Sequence, residues 1–244
     1  MCPNRAERSL FLFAKITLLC FATLLVPRLL ASAGDKSKDE ETLRNSATVL
    51  QGMFDAHTVP QDVLARADCI LVLPAVKKAA FLVGGSGGRG AMSCRGGKNF
   101  RGRWSAPAMY TIGGASFGLQ VGGSSTDFVV LVMSEKGVDA ILQGKTKFGN
   151  DATIAAGPTG ATYSGTVGGS DMLTYGRAKG AFAGMSLGGA TLAADNDANQ
   201  RLYNRAVTAK EIVRQNAVHA TPAGQELVST FHSLATHPKS SSSS

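Results

Sequence analysis

Acidic side chains are missing from a long central part of the chain: none of the 58 residues between Asp68 and Asp127 is Asp or Glu. Within this part, residues 85–90 match the glycine pattern G-x-G-x-x-G of dinucleotide-binding turns. Such a turn must open a helix, and a carboxylate about 20 positions later must bind the ribose. Neither follows residue 90. We therefore exclude a dinucleotide site and predict a tight turn between strands.

Cysteine and histidine are scarce, with four residues of each. The histidines have no metal-ligand spacing relative to the cysteines, so no metal and no other cofactor is predicted. Cys2 and Cys20 belong to the N-terminal segment discussed below, which leaves Cys69 and Cys94 as a candidate disulfide. Two buried free thiols fit equally well, because both cysteines lie in apolar, strand-like surroundings.

Motifs for hydrolysis and calcium binding are incomplete. Residues 114–118 match the nucleophile elbow G-x-S-x-G, which requires a strand, a sharp turn and a helix. The following residues look extended, so a serine hydrolase acting through Ser116 is retained only as an alternative. Residues 195–199 resemble a calcium loop, but Gln200 and Ala206 replace its turn glycine and bidentate glutamate. We predict helix capping there, no catalytic residues, and a protein that is not an enzyme.

The first 33 residues read as a cleavable signal peptide. Arg5 and Arg8 form a positive start, an apolar run covers 10–26, and Ala31-Ser32-Ala33 offers small side chains for a signal peptidase. The run is about 17 residues long, shorter than the roughly 20 that a stable membrane span needs. We expect cleavage near Ala33 and an exported, soluble product, periplasmic or secreted.

Apolar spacing predicts helices at both ends of the remaining chain and strands between them. Three- and four-residue spacing from Leu43 onward predicts one face of a helix, formed by Leu43, Ala47, Leu50, Phe54 and His57. Short apolar and glycine-rich runs at 69–133 and 150–193 predict strands, interrupted by a capped helix at 134–142. Helical segments return between 197 and about 234.

These elements indicate one α+β domain. We expect a curved, largely antiparallel, glycine-rich β-sheet or partial barrel, flanked by N-terminal and C-terminal helices. The domain should occupy residues 43–236, after a polar leader at 34–42 and before a disordered serine-rich tail at 237–244.

Positive charge is concentrated rather than abundant. Residues 34–244 carry 21 Lys and Arg against 16 Asp and Glu, a net charge of +5 that is too small to indicate nucleic acid. The acid-free part nevertheless contains seven cations, and Trp104 directly follows the last of them. Five of the seven lie in 89–103, which should be an exposed hairpin or loop. Clustered cations and an adjacent Trp suit an anionic lipid surface. A solvated basic edge strand is the alternative. The candidate lipid-binding residues are Lys77, Lys78, Arg89, Arg95, Lys98, Arg101, Arg103 and Trp104.

Several sequence blocks, in order, resemble the SYLF domain, also called the Ysc84-type domain, over about residues 43–205. One small departure is Lys78-Ala79-Ala80-Phe81, where the family usually has Gly in place of Ala80. The blocks that carry the resemblance are Val59-Pro60-x-x-Val63-Leu64-x-x-Ala67, Ile70-Leu71-Val72, Trp104-Ser105-Ala106-Pro107, Gly118-Leu119-Gln120-Val121-Gly122, Thr126-Asp127-Phe128-Val129, Ala156-Gly157-Pro158, Tyr175-Gly176-Arg177-Ala178-Lys179-Gly180, Phe182-Ala183-Gly184-Met185-Ser186-Leu187-Gly188-Gly189 and Asp197-Ala198-Asn199-x-x-Leu202-Tyr203.

The resemblance implies binding and not catalysis. Eukaryotic members bind phosphoinositides through an amphipathic N-terminal helix and a basic surface, and some bind or bundle actin. Export would make actin an unlikely partner and would leave anionic lipid as the expected one. An envelope protein that binds another protein or a glycan is the alternative. The family pattern favours Trp104 and Asp127 as fold determinants, with Trp104 in the core and Asp127 accepting from backbone amides.

Overall fold

A computed structural model describes residues 35–81, 83–117, 122–148, 154–156, 170–180, 187 and 189–236. The chain divides into two units. The first is Met1–Lys38, of which only the helical residues 35–38 are described. The second, Asp39–Ser244, contains the sheet and all the sites discussed below. The predicted signal peptide and serine-rich tail lie outside the described residues.

Six helices are present in the part of the chain that the structure describes. The first, α1, covers residues 35–55 and buries Leu43, Ala47 and Leu50, which confirms the first part of the predicted face. Beyond them Met53 is the buried residue, Phe54 is half-buried, and His57 is exposed after the end of the helix. Residues 35–42 are part of α1 and are not a leader ahead of it. The other helices are α2 (Gln61–Arg66), α3 (Glu135–Leu142), α4 (Asn196–Tyr203), α5 (Ala209–Gln215) and α6 (Pro222–Thr236).

Eight described strands form one curled, open half-barrel sheet in the order β5-β8-β3-β2-β1-β4-β7-β6. Neighbouring strands are antiparallel except β6 and β7, which are parallel. The predicted α+β fold with a largely antiparallel sheet is therefore confirmed. The strands are β1 (Cys69–Phe81), β2 (Val83–Cys94), β3 (Ala108–Phe117), β4 (Gly122–Val132), β5 (Lys145–Lys147), β6 (Ile154–Ala156), β7 (Met172–Gly180) and β8 (Thr191–Ala194).

Helices cover both faces of this sheet. Side chains alternate along a strand, so Leu71 and Leu73 of β1 face one way while Ile70 and Val72 face the other, and all four are fully buried. The first pair packs in a cluster with α3 and α5. The second pair packs in a cluster with α1, α2, α4 and α6. Each face thus has its own apolar core.

The glycine-rich run 85–90 is strand and not the predicted turn. All six residues lie within β2, where they pair with β3. A Cβ at Gly90 would stand 2.0 Å from the carbonyl oxygen of Val72. Next to it β1 is irregular, with a register shift between Leu73 and Val76 and a positive φ of 48° at Ala75. Glycine is needed here because the two backbones approach closely. In the sequence alone, the resulting run of glycines looks the same as a turn.

Candidate ligand-binding site

A short loop, residues 96–103, extends from the end of β2 and returns to the body of the domain. Its backbone is held by three hydrogen bonds: Gly96 N–H donates to the Arg103 carbonyl (2.9 Å), Gly102 N–H to the Gly96 carbonyl (2.8 Å), and Phe100 N–H to the Gly97 carbonyl (3.4 Å). A Cβ at Gly102 would lie 2.8 Å from the Gly96 carbonyl oxygen, so a side chain at that position would push the two strands of the loop apart.

The loop exposes three cations. Lys98, Arg101 and Arg103 are all solvent-exposed, and no acidic residue occurs in the loop. The predicted exposed segment was 89–103, but residues 89–94 belong to β2 and only 96–103 project as a loop. The structure therefore brings three of the seven predicted cations together on one feature. We call residues 96–103 the basic loop.

Two arginine–aromatic stacks anchor the basic loop. The Arg95 guanidinium carbon lies 4.5 Å from the Trp104 ring centroid, and that of Arg214 lies 4.1 Å from the Phe100 ring centroid. Such contacts contribute about 0.5–1 kcal/mol each at exposed sites. Burial lowers the pKa of Arg95, an effect that the carboxylate of Asp68 opposes.

Trp104 is a core residue, as the fold-determinant interpretation predicts. Its side chain is 8% exposed and packs on Phe231 of α6, with 5.4 Å between ring centroids. With Arg95 on its ring, Trp104 is not placed to insert into a lipid interface. The position of Trp104 next to the cations in the sequence suggested that role. In the structure its ring packs on α6 and so attaches the basic loop to that helix.

A disulfide closes the base of the basic loop. Cys69 and Cys94 are direct cross-strand partners in β1 and β2 and are bonded in the structure, with both residues fully buried. Of the two interpretations left open by the sequence, the structure has the bridge. It ties the start of β1 to the point where β2 enters the loop.

An open groove of about 870 Å³ lies between the basic loop and α6. One wall is formed by the loop and the segment 104–106, and the other by residue 216, residues 218–220 and one face of α6. Arg103 lines the first wall, while His219 and His232 line the second. The lining contains no Asp or Glu. The lining of the groove therefore combines one cation, Arg103, with apolar side chains such as those of Ala106 and Val228.

Arg89 is committed to a buried ion-pair network. Its Nη2 lies 2.6 Å from Asp39 Oδ1 and 2.9 Å from Asp195 Oδ2. Asp39 is fully buried and also accepts from Arg201 Nε at 2.8 Å. Asp195 caps α4 by accepting from Ala198 N–H, as the capping prediction requires. Arg89 therefore positions α1 and α4 against β2, and its guanidinium is paired with two carboxylates.

Lys77 and Lys78 lie far from the basic loop. They pair with Gly87 and Ser86 of β2, whereas the loop begins at the Cys69 end of β1. Eight residues separate Cys69 from Lys77, which is roughly 25 Å at about 3.3 Å per residue. Lys77 is exposed and Lys78 is half-buried. The seven cations therefore do not form one surface.

Asp127 has the predicted structural role. Its Oδ1 accepts from the backbone N–H of Ala75 at 3.0 Å, and its Oδ2 accepts from Arg177 Nη2 at 3.0 Å. The carboxylate thus satisfies the amide that the irregularity in β1 exposes. It links β1, β4 and β7 across the middle of the sheet.

The alternative nucleophile Ser116 lies near the end of β3, paired with Gly84 of β2. Its side chain and residues 118–121, where the elbow would turn, are outside the described residues. Among the residues that are described, no three His, Cys, Asp or Glu side chains are close enough to hold a metal ion. In that same part of the chain, no helix has the length and apolarity to cross a membrane.

Sequence reasoning missed the second wall of the groove. His219 lies between two predicted helical segments and His232 lies within the last of them, and neither forms a motif with the loop, more than 110 positions earlier. The signal that could have found them is indirect: Trp104 requires an aromatic or apolar partner, and Phe231 supplies it from α6. Because His232 directly follows Phe231 on α6, that contact also places His232 at the groove.

The fold defines a class of protein: an α+β domain built on a curled, open sheet with helices on both faces. The chain belongs to the Ysc84 family, whose model, described as "Las17-binding protein actin regulator", matches residues 113–234. That match includes the second wall of the groove and begins after the basic loop. The predicted SYLF resemblance is confirmed.

Curated relatives extend the similarity towards the N-terminus. Protein YSC84 of Saccharomyces cerevisiae is 32% identical over 216 residues, which is 86% of this chain and 45% of that protein. LAS seventeen-binding protein 3 of the same species is 32% identical over 183 residues, 72% and 39% of the two chains. SH3 domain-containing YSC84-like protein 1 of Homo sapiens is 31% identical over 159 residues, 64% and 45%. This chain therefore spans less than half of each of these relatives. No solved structure matches it.

Proposed function

We propose that this protein is a non-catalytic binding domain that associates with anionic lipid surfaces through the basic loop. The observation that carries the proposal is the exposure of Lys98, Arg101 and Arg103 on one backbone-restrained loop without a neighbouring acid in the loop. A restrained loop loses little conformational entropy when it binds. The candidate surface is smaller than the sequence suggested, since Arg89, Arg95 and Trp104 have structural partners.

Three cations set the expected magnitude. Each Lys or Arg near an anionic membrane contributes about 1 kcal/mol, so the basic loop should contribute about 3 kcal/mol, or roughly 100-fold in partitioning. The contribution is electrostatic and must fall as added salt shortens the screening length.

The test is co-sedimentation with vesicles of phosphatidylglycerol and phosphatidylcholine, compared with phosphatidylcholine alone. The variant Lys98→Gln/Arg101→Gln/Arg103→Gln should lose most of the binding to the anionic vesicles. Its matched control is Lys145→Gln/Lys147→Gln/Lys210→Gln, which removes the same charge from exposed positions on β5 and α5. Equal losses in both variants would show that net charge matters and the basic loop does not. Equal binding of the unmodified protein to neutral vesicles would also refute the proposal.

A protein partner is the second candidate. It is favoured by the family description, which names Las17 binding and actin regulation, and by relatives named for binding LAS seventeen. The alternative of an envelope protein that binds another protein belongs to this candidate, and a glycan ligand is a separate alternative. Sedimentation with filamentous actin, in the absence of lipid, tests one such partner directly. Stoichiometric sedimentation with actin and none with anionic vesicles would replace the lipid proposal.

We also propose export, with cleavage near Ala33. The support is the sequence pattern of residues 1–33 alone, and the expectation that actin is not a partner depends on it. Mass spectrometry of the mature protein from the producing cell tests the proposal. A mature chain that begins at residue 34 would support export, whereas a retained Met1 would remove the argument against actin.

A further inference from the structure

We infer that the groove between the basic loop and α6 holds a single anionic amphiphile, such as an alkyl phosphate or one anionic lipid molecule that has left its membrane. The inference rests on the proposed function and deepens it: the same loop that meets an anionic surface would also form one wall of a site for one molecule. Its head group would lie against Arg103, His219 and His232 and next to Trp104, and its chain would lie over the apolar lining, which includes Ala106 and Val228.

The size of the groove is suitable for a small ligand. Its volume of about 870 Å³ falls in the range of about 300–1,000 Å³ that is typical of small-molecule sites. Apolar side chains from both walls contribute to the lining, among them Ala106 before β3 and Val228 on α6. Burying an alkyl chain there contributes about 0.8 kcal/mol for each methylene removed from water.

Charge complementarity selects an anionic head group. Arg103 supplies the positive charge of the lining, the two histidines on the other wall can each donate an N–H, and Asp and Glu are absent from the lining. The nearest acidic residue on α6, Glu226, is exposed and is not part of the groove. Lys98 and Arg101 add positive potential from the same loop without lining the groove themselves. A cationic or zwitterionic head group would find no carboxylate to pair with there.

Trp104 adds an independent observation. Its indole Nε1 is buried and finds no hydrogen-bond acceptor within the described residues. A buried donor without an acceptor costs about 1–3 kcal/mol. Because this nitrogen has almost no exposed surface, a ligand oxygen reaches it and removes that cost only when the ring shifts towards the groove. Trp104 is also the single tryptophan of the chain, so its fluorescence reports on the groove without interference.

The experiment titrates the protein with decyl phosphate below its micelle concentration and follows Trp104 fluorescence, with calorimetry for stoichiometry. Inorganic phosphate and decyl maltoside are the comparison ligands. We expect one decyl phosphate per protein, at least tenfold weaker binding of decyl maltoside, and no response to phosphate alone. Phosphate binding as tight as that of decyl phosphate would overturn the inference, because the site would then recognise a free anion. Weak binding of two or more decyl phosphate molecules per protein would also overturn the inference.

Occupation of the groove is tested with Ser229→Phe, which places a ring in the groove from an exposed position on α6. Its control is Ser233→Phe, the same change one turn later and outside the groove lining. We expect Ser229→Phe to weaken decyl phosphate binding at least tenfold and Ser233→Phe to weaken it less than twofold. A second pair, Arg103→Gln and Lys210→Gln, keeps the inference testable if the phenylalanine variants misfold. Equal affinities within both pairs would refute it.

The outcomes separate this inference from the proposed function. If anionic vesicles bind but decyl phosphate does not, the lipid-surface proposal stands and the groove inference is wrong. If Ser229→Phe loses decyl phosphate yet still sediments with anionic vesicles, both hold, since the surface contact and the groove are then distinct. If neither ligand binds the unmodified protein, both are refuted.

Discussion

Neutralising the buried carboxylate of Asp39 should destabilise the domain strongly. Asp39 is fully buried and accepts from Arg89 Nη2 at 2.6 Å and from Arg201 Nε and Nη2 at 2.8 and 3.2 Å. Asp39→Asn keeps the shape but removes the charge, and its amide NH₂ competes with the guanidinium donors. Breaking a buried ion pair costs about 3–5 kcal/mol. Both arginines are partly exposed, which favours the lower end of that range.

A loss of about 3 kcal/mol corresponds to a decrease of roughly 6–12 °C in Tm for a domain of this size. Thermal unfolding followed by circular dichroism at 222 nm measures it. The control is Asp62→Asn on α2, whose ion pair with Arg66 is exposed and 3.8 Å long, and which should cost less than about 0.5 kcal/mol. Equal Tm values for the two variants would refute the network. So would strict additivity of Asp39→Asn and Arg201→Gln, because interacting partners must show a coupling energy.

Three further predictions concern local features. Gly90→Ala should unfold the domain or lower its unfolding midpoint in urea far more than Gly85→Ala, because the added Cβ meets the Val72 carbonyl at 2.0 Å in one case and its nearest atom at 3.9 Å in the other. Replacing Cys69 and Cys94 with Ser should cost about 3 kcal/mol in the same assay, since the bridge spans 25 residues, and reducing agent should destabilise only the unmodified protein. Hydrogen bonds from Thr208 lower the pKa of Glu211, so its contribution exists above the pKa of the unfolded chain and disappears as pH falls through the folded value. Urea midpoints of Glu211→Ala and the unmodified protein should therefore converge in acid, and a constant difference across pH would contradict the capping box.

Elements with local signals were predictable from the sequence. Ser134 caps α3, and Thr208 with Glu211 forms the capping box of α5, so each helix carries its own start signal within four residues. The buried positions of α1 from Leu43 onward repeat at helical spacing because one face of the helix packs against the sheet, and this spacing is visible in the sequence. Short apolar runs bounded by proline and glycine likewise predicted the strands.

Features that depend on distant partners were not predictable in this way. Asp39 sits in a polar run, and its two arginines are 50 and 162 positions away, so the segment 34–42 resembled a leader. The run 85–90 resembled a turn because the reason for its glycines, the close backbone of β1, is also remote. In both cases a contact with a residue distant in sequence explains the residue type. Judged from its sequence neighbours alone, the same residue type indicates a different structure.

The basic cluster shows the same principle at the candidate site. Seven cations near in sequence have four different environments: Arg89 in the Asp39 network, Arg95 on Trp104, the two lysines at the far end of β1, and three on the basic loop. Only Arg103 among these seven also lines the groove. If the surface and the groove are separate sites, Arg103→Gln should weaken both vesicle and decyl phosphate binding. Lys98→Gln should act mainly on vesicles, because its charge is on the loop but not in the groove. Equal effects of the two substitutions on decyl phosphate would mean that the loop acts only through its total charge.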